Sequence, residues 1–371
     1  MNFGFLKFKA AYMERLWGGT QLSGYLNTAL SGDQPIGEAW LIADHEVHCS
    51  VVSEGPFTGH TLRQLIALDG VGLLGNAGKN TPGNSFPLLL KLIDADADLS
   101  VQVHPDDTLA SCLEGLDNGK TEMWYVLGSK KDSRLLLGLQ PDVDQESFER
   151  AAHAGGDLSS MMQSVPAQIG AFFFVPAGVV HAIGAGIMVA EIQQNSDITY
   201  RLYDYNRVEK GGERRTLHLD KALQSLQYDQ SSMADSAPSL AIESEDAVRE
   251  YLCACPYFAA EKVQTKGQRV YCGDSQSFHI VLATEEPLLL ISEESRCTLQ
   301  RGEAALVPAS LKEWSVQTTG TYLDYYVPRL LEDVVMPLRL QGYRDEQIES
   351  LAGMAGSRAI FDRNNRTSIS S

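Results

Sequence analysis

Basic residues are in short supply in this 371-residue chain: 30 Lys and Arg stand against 48 Asp and Glu, for a formal net charge of -18. A chain this acidic repels nucleic acid and anionic membrane unless its basic residues cluster. The densest group, Arg207 to Arg215, is interrupted by acids and glycines and reads as a solvated loop. Cysteine is sparse as well, six in all with no C-x-x-C pair. Cys253 and Cys255, one residue apart, would point the same way from a strand and read as buried thiols before a disulfide or metal pair. Long apolar runs are missing too: Lys7, Lys9, Glu14 and Arg15 break up the N-terminal ones, and no run approaches transmembrane length. These absences point to a soluble chain in a reducing cytoplasm, with neither nucleic acid nor membrane as partner.

What is present is β patterning with a few helices, in a chain long enough for two packed cores. Phe3 to Trp17 reads as an entry strand and loop followed by a Gly-Gly turn, and Gly37 to Ala43 and His48 to Val52 read as strands. The spacing of Leu62, Leu65, Ile66 and Leu68 predicts an amphipathic helix over Thr61 to Leu74. Further helices are expected between Gln145 and Met162 and over Leu217 to Leu226. Pro87 to Ile93 is a leucine run broken by Lys91: an ammonium inside such a run wants an anion or a cleft, unless the strand is an edge where it reaches solvent. A polar stretch from Tyr228 to Ser239 reads as a linker.

The chemistry concentrates elsewhere. In L-S-V-Q-V-H-P, alternation puts Val101 and Val103 on one strand face and Gln102 and His104 on the other. Pro105 stops that strand, and Asp106 or Asp107 caps a short helix from Thr108 to Leu113 that Gly115 ends. A second strand, Thr121 to Leu127, begins with Glu122 just after Lys120. Downstream, G-A-F-F-F-V-P-A-G-V-V-H-A-I-G reads as a hairpin carrying His181. Gln102, His104, Glu122 and His181 together form a candidate mixed N and O ligand set, which suits a catalytic metal rather than a closed structural one. Arg201, Tyr203 and Tyr205 alternate with Leu202 and Asp204, which puts the guanidinium on an aromatic face, where it could be merely stacked, though its fork suits a sugar phosphate.

These segments, with E-R-L-W-G-G at Glu14, G-E-A-W at Gly37 and E-I-Q-Q-N-S-D-I-T-Y-R-L-Y-D-Y from Glu191, closely resemble the type I mannose-6-phosphate isomerases in their short bacterial form, as far as about Pro328. The resemblance implies a mainly β fold of cupin-type jelly-roll barrels with added helices. It implies residues 1–230 as a metal-bearing catalytic domain and 231–330 as a smaller metal-free one; residues 331–371 lie beyond the short family form and read as an extension, helical over Asp345 to Gly353 and then disordered. It also implies one Zn2+ per chain on Gln102, His104, Glu122 and His181, and a sugar phosphate as substrate. Lys91, Lys120 and Arg201 are the expected substrate-binding residues; Arg201, Lys120, Glu191 and Asp197 are the expected catalytic ones. The proton carrier stays open between the acids Glu191 and Asp197 and the lysines, and long-form relatives carry a histidine where this chain has Gly119, so mechanisms that use that histidine do not transfer. A metal-dependent cupin oxygenase and a non-catalytic sugar-sensing cupin are the competing readings. Within the second domain, Gly302 to Trp314 aligns with Gly170 to Ala182 through a shared V-P-A turn, which sets Glu313 against His181.

Overall fold

The leucine run becomes the strand Leu88–Ala95, every residue of which is buried, Lys91 included. It lies inside a six-stranded sheet ordered Ala11–Gly19, Ile36–Ile42, Leu88–Ala95, Ile187–Gln194, Glu122–Ser129 and Phe172–Val175. A five-stranded sheet, ordered Tyr200–Tyr203, Val101–Val103, His181–Ile183, Arg134–Leu139 and Met162–Pro166, belongs to the same unit. One apolar core draws Trp17, Ile93, Trp124, Val126 and Val189 from the first sheet and Leu135, Leu137 and Ile183 from the second. Val101 and Val103 face the other way, into a second core with Phe148 and Ala152 of helix Gln145–His153 and Ala222 of helix Leu219–Ser225. Burying one such phenylalanine stabilises by roughly 2–3 kcal/mol. The alternation that turns these valines outward turns Gln102 inward, between the sheets.

The computed structural model describes residues 3–30, 35–76, 85–115, 118–208, 211–228, 238–355 and 360. It separates two units, residues 11–40 with 89–236, and residues 1–10 and 41–88 with 237–371. This differs from the linear division at residue 230. Leu6–Lys7 pairs with Leu306 and Ala305, and the helix Leu62–Leu74 is tied to the second V-P-A turn by Ala309 N–H donating to Leu73 O at 3.0 Å. The second unit has a seven-stranded sheet ordered Leu6–Lys7, Ala304–Val307, His279–Ala283, Thr321–Tyr326, Ala259–Thr265, Ala247–Ala254 and Leu240–Glu243. Its partner is a four-stranded sheet of Gly267–Cys272, Glu313–Thr318, Leu288–Ile291 and Arg296–Leu299. The architecture is mainly β, two cupin-like double sheets with added helices.

Local outcomes differ from the sequence reading in four places. Gly18 and Gly19 are not a turn but the end of the strand Ala11–Gly19, where a Cβ on Gly18 would lie 2.5 Å from the Gly37 nitrogen. His48 to Val52 makes only isolated bridges. Phe172–Val175 and His181–Ile183 are not a hairpin: they belong to different sheets, and the turn between them, with Gly178 at φ +87°, carries the chain across. The helix near the C-terminus is shorter, Asp345–Glu349. With Val334, Val335 and Leu338 its Ile348 packs on Tyr251, Ala259 and Tyr326. Residues 229–237 of the expected linker, and 356–359 and 361–371 of the expected disordered end, lie outside the described residues. Among the described residues, no helix is long and apolar enough to cross a membrane.

Candidate active site

Two sheets bring the predicted ligands together. Gln102 and His181 are direct partners across antiparallel strands of the five-stranded sheet, while Glu122 opens a strand of the six-stranded sheet and pairs with Val175 and Gln193. The crossing turn after Val175 is fixed by Gly178 N–H donating to His104 O at 2.8 Å, which couples the His104 loop to the His181 strand. His104, Glu122 and His181 each offer an atom within 4.8 Å of the others, and all three are buried. His104 Nδ1 lies 2.8 Å from Ile198 O and His181 Nδ1 lies 2.9 Å from Val179 O. Donation to those carbonyls places the proton on Nδ1 and leaves both Nε2 lone pairs facing Glu122, at 3.5 and 3.4 Å. The Gln102 amide ends 3.3 Å from His181 Nε2, and a half-turn of that amide exchanges nitrogen for oxygen.

Burial, then the charge on Lys120, lowers the His104 pKa to about 3, and burial lowers that of His181, so both rings are neutral donors. Burial alone would raise the Glu122 pKa, but Lys120 and the two imidazoles hold it well below the ordinary carboxylate value. Both Glu122 oxygens are buried without a well-formed hydrogen bond, although Lys120 Nζ approaches one at 2.6 Å. An ionised carboxylate facing two neutral lone pairs, with a cation already drawn to it, fits a divalent metal. The residues therefore form a His-Glu-His metal site.

Around it the six-stranded sheet supplies a second layer of charge. Lys91 Nζ lies 3.5 Å from Glu191, and Lys120 Nζ lies 3.8 Å from the same oxygen and 3.0 Å from His104 Nε2. Burial opposes the Lys91 charge, but Glu191, Glu38, Asp197 and Glu122 outweigh it and raise its pKa. Glu191 goes the other way: burial raises its pKa, and Glu122 adds to that against the attraction of Lys91. Arg201 is paired in register with Gln102, one strand from His181. Lys91, Gln102, Lys120, Glu191, Asp197 and Arg201 all line one cavity of about 540 Å³. His104, Glu122 and His181 stand behind that wall.

The sequence reading missed further residues on the wall, among them Arg15, Ser100, Thr199 and Arg215. Arg15 is aimed by a bidentate pair with Glu38 at 2.9 and 3.0 Å, and Trp40 Nε1 donates to the same carboxylate at 2.7 Å. Its place within E-R-L-W-G-G was the available signal. Arg207 and Arg215 are not a solvated pair: both bond to the buried Asp204, and their side chains are 19% and 15% exposed. Polar neighbours hid them. Gly119 is also explained, because a Cβ there would fall 2.5 Å from the backbone of Asp106 and Asp107. A histidine does not fit at that position without moving the helix start.

Comparison with known proteins agrees with this geometry. Residues 5–129 match the family described as phosphomannose isomerase type I, catalytic domain. The chain is similar to mannose-6-phosphate isomerase ManA of Bacillus subtilis, 36% identical over 312 residues that cover 84% of this chain and 95% of the relative. A mannose-6-phosphate isomerase of Streptococcus mutans is 32% identical over 312 residues, covering 81% and 91%. The crystal structure of the mannose 6-phosphate isomerase from Bacillus subtilis superposes with a TM-score of 0.78 at 28% identity, over 87% of this chain and 99% of that one. With its ordered motifs, its double-sheet fold and its His-Glu-His centre, the chain belongs to the type I mannose-6-phosphate isomerase family.

Proposed function

We propose that this protein is an aldose-ketose isomerase that interconverts mannose 6-phosphate and fructose 6-phosphate in the cytoplasm, with one zinc ion per chain held by Gln102, His104, Glu122 and His181. The supporting observation is the pairing of an unsatisfied His-Glu-His set with Lys91, Lys120 and Glu191 at a 540 Å³ cavity. Bound there, zinc supplies Lewis-acid polarisation of the sugar oxygens next to the reacting carbons.

The reaction moves one proton between C2 and C1 of the open-chain sugar through an enediol. Glu191 is the proton carrier of this reading: it takes the proton from C2 and returns it to C1. Burial raises its pKa, which favours proton uptake by this carboxylate. Lys120 and Lys91 place positive charge beside the developing enediolate, and Lys120 also steers Glu122 and His104, which it touches. Asp197 serves the proton exchanges of the hydroxyls, and Arg201 binds and orients the phosphosugar.

The test couples fructose 6-phosphate formation from mannose 6-phosphate to metal analysis of the same sample. Turnover proportional to zinc occupancy is expected, and fully loaded protein that converts no mannose 6-phosphate would sink the reading.

A further inference from the structure

We propose that Trp124 is a specificity-determining residue of the cavity: its indole N–H donates to the hydroxyl on C3 of the sugar, and that hydroxyl in turn donates to Glu191. The proposal rests on the isomerase reading and adds a neutral donor to the charged groups already assigned there.

The strand Glu122–Ser129 carries Trp124 two residues beyond Glu122, so period-two alternation turns both side chains to one face. Across the antiparallel pair Trp124 stands directly opposite Glu191, and side chains so placed have Cβ atoms roughly 5 Å apart. The indole also meets His181 edge to face, with ring centroids 5.4 Å apart at 72°. Trp124 thus touches a metal ligand and neighbours the proton carrier, and it lines the cavity together with Glu191 and Lys120.

Most of that indole is core. It packs with Trp17, Ile93, Val126 and Leu137, a task for which an apolar ring suffices. The ring nitrogen is what packing does not use, and it is a donor only. In a residue 1% exposed, Nε1 is buried with no acceptor, and a donor left so is costly. Glu191 has the complementary deficit: its Oε1 is buried without a hydrogen bond, with the Lys91 and Lys120 ammoniums at 3.5 and 3.8 Å. One donor and one acceptor left short on facing residues call for a group that is both. A hydroxyl is such a group, accepting from the indole and donating to the carboxylate, whereas a carbonyl satisfies only the indole and a methylene neither. The oxygens on C1 and C2 gain and lose protons during the reaction and are those that zinc polarises in the isomerase reading. The next hydroxyl along the chain is on C3, and it is the same in mannose 6-phosphate and fructose 6-phosphate.

Fructose 6-phosphate and its 3-deoxy analogue are the probes. Each is measured on zinc-loaded wild type and Trp124→Phe, for affinity by calorimetry and for kcat and KM by NMR of the sugar phosphates. Wild type is expected to bind the 3-deoxy compound about tenfold or more weakly, because the missing hydroxyl leaves the buried donor unpaired. Trp124→Phe should lose a similar factor for fructose 6-phosphate, mostly in KM, and little for the 3-deoxy compound, so that the two deletions are not additive. A packing role alone would weaken both compounds alike, and that result overturns the proposal. If Trp124→Phe does not fold, wild type that binds the two compounds equally overturns it instead, and a tenfold preference supports it. Should wild type interconvert no hexose phosphate yet prefer the 3-hydroxyl and lose that preference in Trp124→Phe, the isomerase reading fails and the hydroxyl site stands.

Discussion

The two double sheets carry polar groups at matching addresses and use them in opposite ways. Val175 of the first V-P-A turn pairs with Glu122, and Val307 of the second pairs with His279. Two residues along, Trp124 pairs with Glu191 and Val281 with Asp324. His279 and Asp324 therefore occupy the register positions of Glu122 and Glu191. In the second unit the group is saturated. Asp324 meets His279 Nδ1 at 2.9 and 3.1 Å, and Glu261 takes both forks of Arg249 at 2.7 Å and the Tyr326 hydroxyl at 2.6 Å. Trp314, stacked on Tyr271 at 3.9 Å, fills space beside His279. In the first unit Glu122 and Glu191 keep buried oxygens without hydrogen bonds. A satisfied polar row is architecture, whereas one left short is a place for a ligand.

The largest expected effect comes from removing what the first row lacks. Chelation should abolish turnover while the far-ultraviolet circular dichroism spectrum stays unchanged, because the strands that carry the ligands bury their own cores. His181→Ala and His104→Ala should each lose zinc and most activity. Activity that survives complete metal removal would erase the distinction between the rows.

Next in size are Arg201→Lys and Glu191→Gln. Arg201→Lys keeps the charge and loses the fork, for an expected hundredfold loss in kcat/KM, on the order of 3 kcal/mol. Glu191→Gln keeps the shape and loses the proton carrier, so kcat should fall with KM little changed. Wild-type kinetics in Arg201→Lys would count against a role in gripping the phosphosugar, and in Glu191→Gln against proton transfer by that carboxylate.

Much of this contrast was legible in the sequence, and the reasons it was not wholly so are physical. Period-two alternation placed Gln102 against Val101 and Val103 without any tertiary knowledge, and the buried-lysine argument picked out Lys91. Pairing across sheets was not legible. Nothing local says that the turn at Pro176 crosses between sheets instead of closing a hairpin, or that Leu6–Lys7 joins a strand 300 residues away. Nor does a polar, glycine-rich stretch announce that Arg215 folds back onto Asp204, since the energy of that contact belongs to a partner eleven residues upstream.

A smaller effect is expected from pH on the satisfied row. Burial works against a charged His279, but Asp324 outweighs it and raises the imidazole pKa above its ordinary 6.5. The charged pair therefore contributes its full stability below about pH 6.5, and that contribution is lost as pH rises through the raised folded value. Thermal melts between pH 5 and 9 should show the second unit weakening toward alkaline pH. His279→Gln should flatten that slope without touching zinc content. An unchanged slope in the variant would assign the dependence to other groups.

The smallest effect is expected at Glu313. Aligning the two V-P-A segments sets Glu313 against His181, and a metal on the second row would need it. Yet Glu313 is exposed where His181 is buried, and the residue that turns inward is Trp314. Among the described residues, the only cluster of three or more His, Cys, Asp or Glu able to hold a metal is the one in the first unit. His279, the imidazole of the second row, already spends Nδ1 on Asp324. Glu313→Ala should therefore leave one zinc per chain, with turnover near wild type and a change in stability within about 0.5 kcal/mol, as for other surface positions. Two tightly bound equivalents in wild type, with one lost in Glu313→Ala, would make the second row a ligand site and undo the contrast between the two.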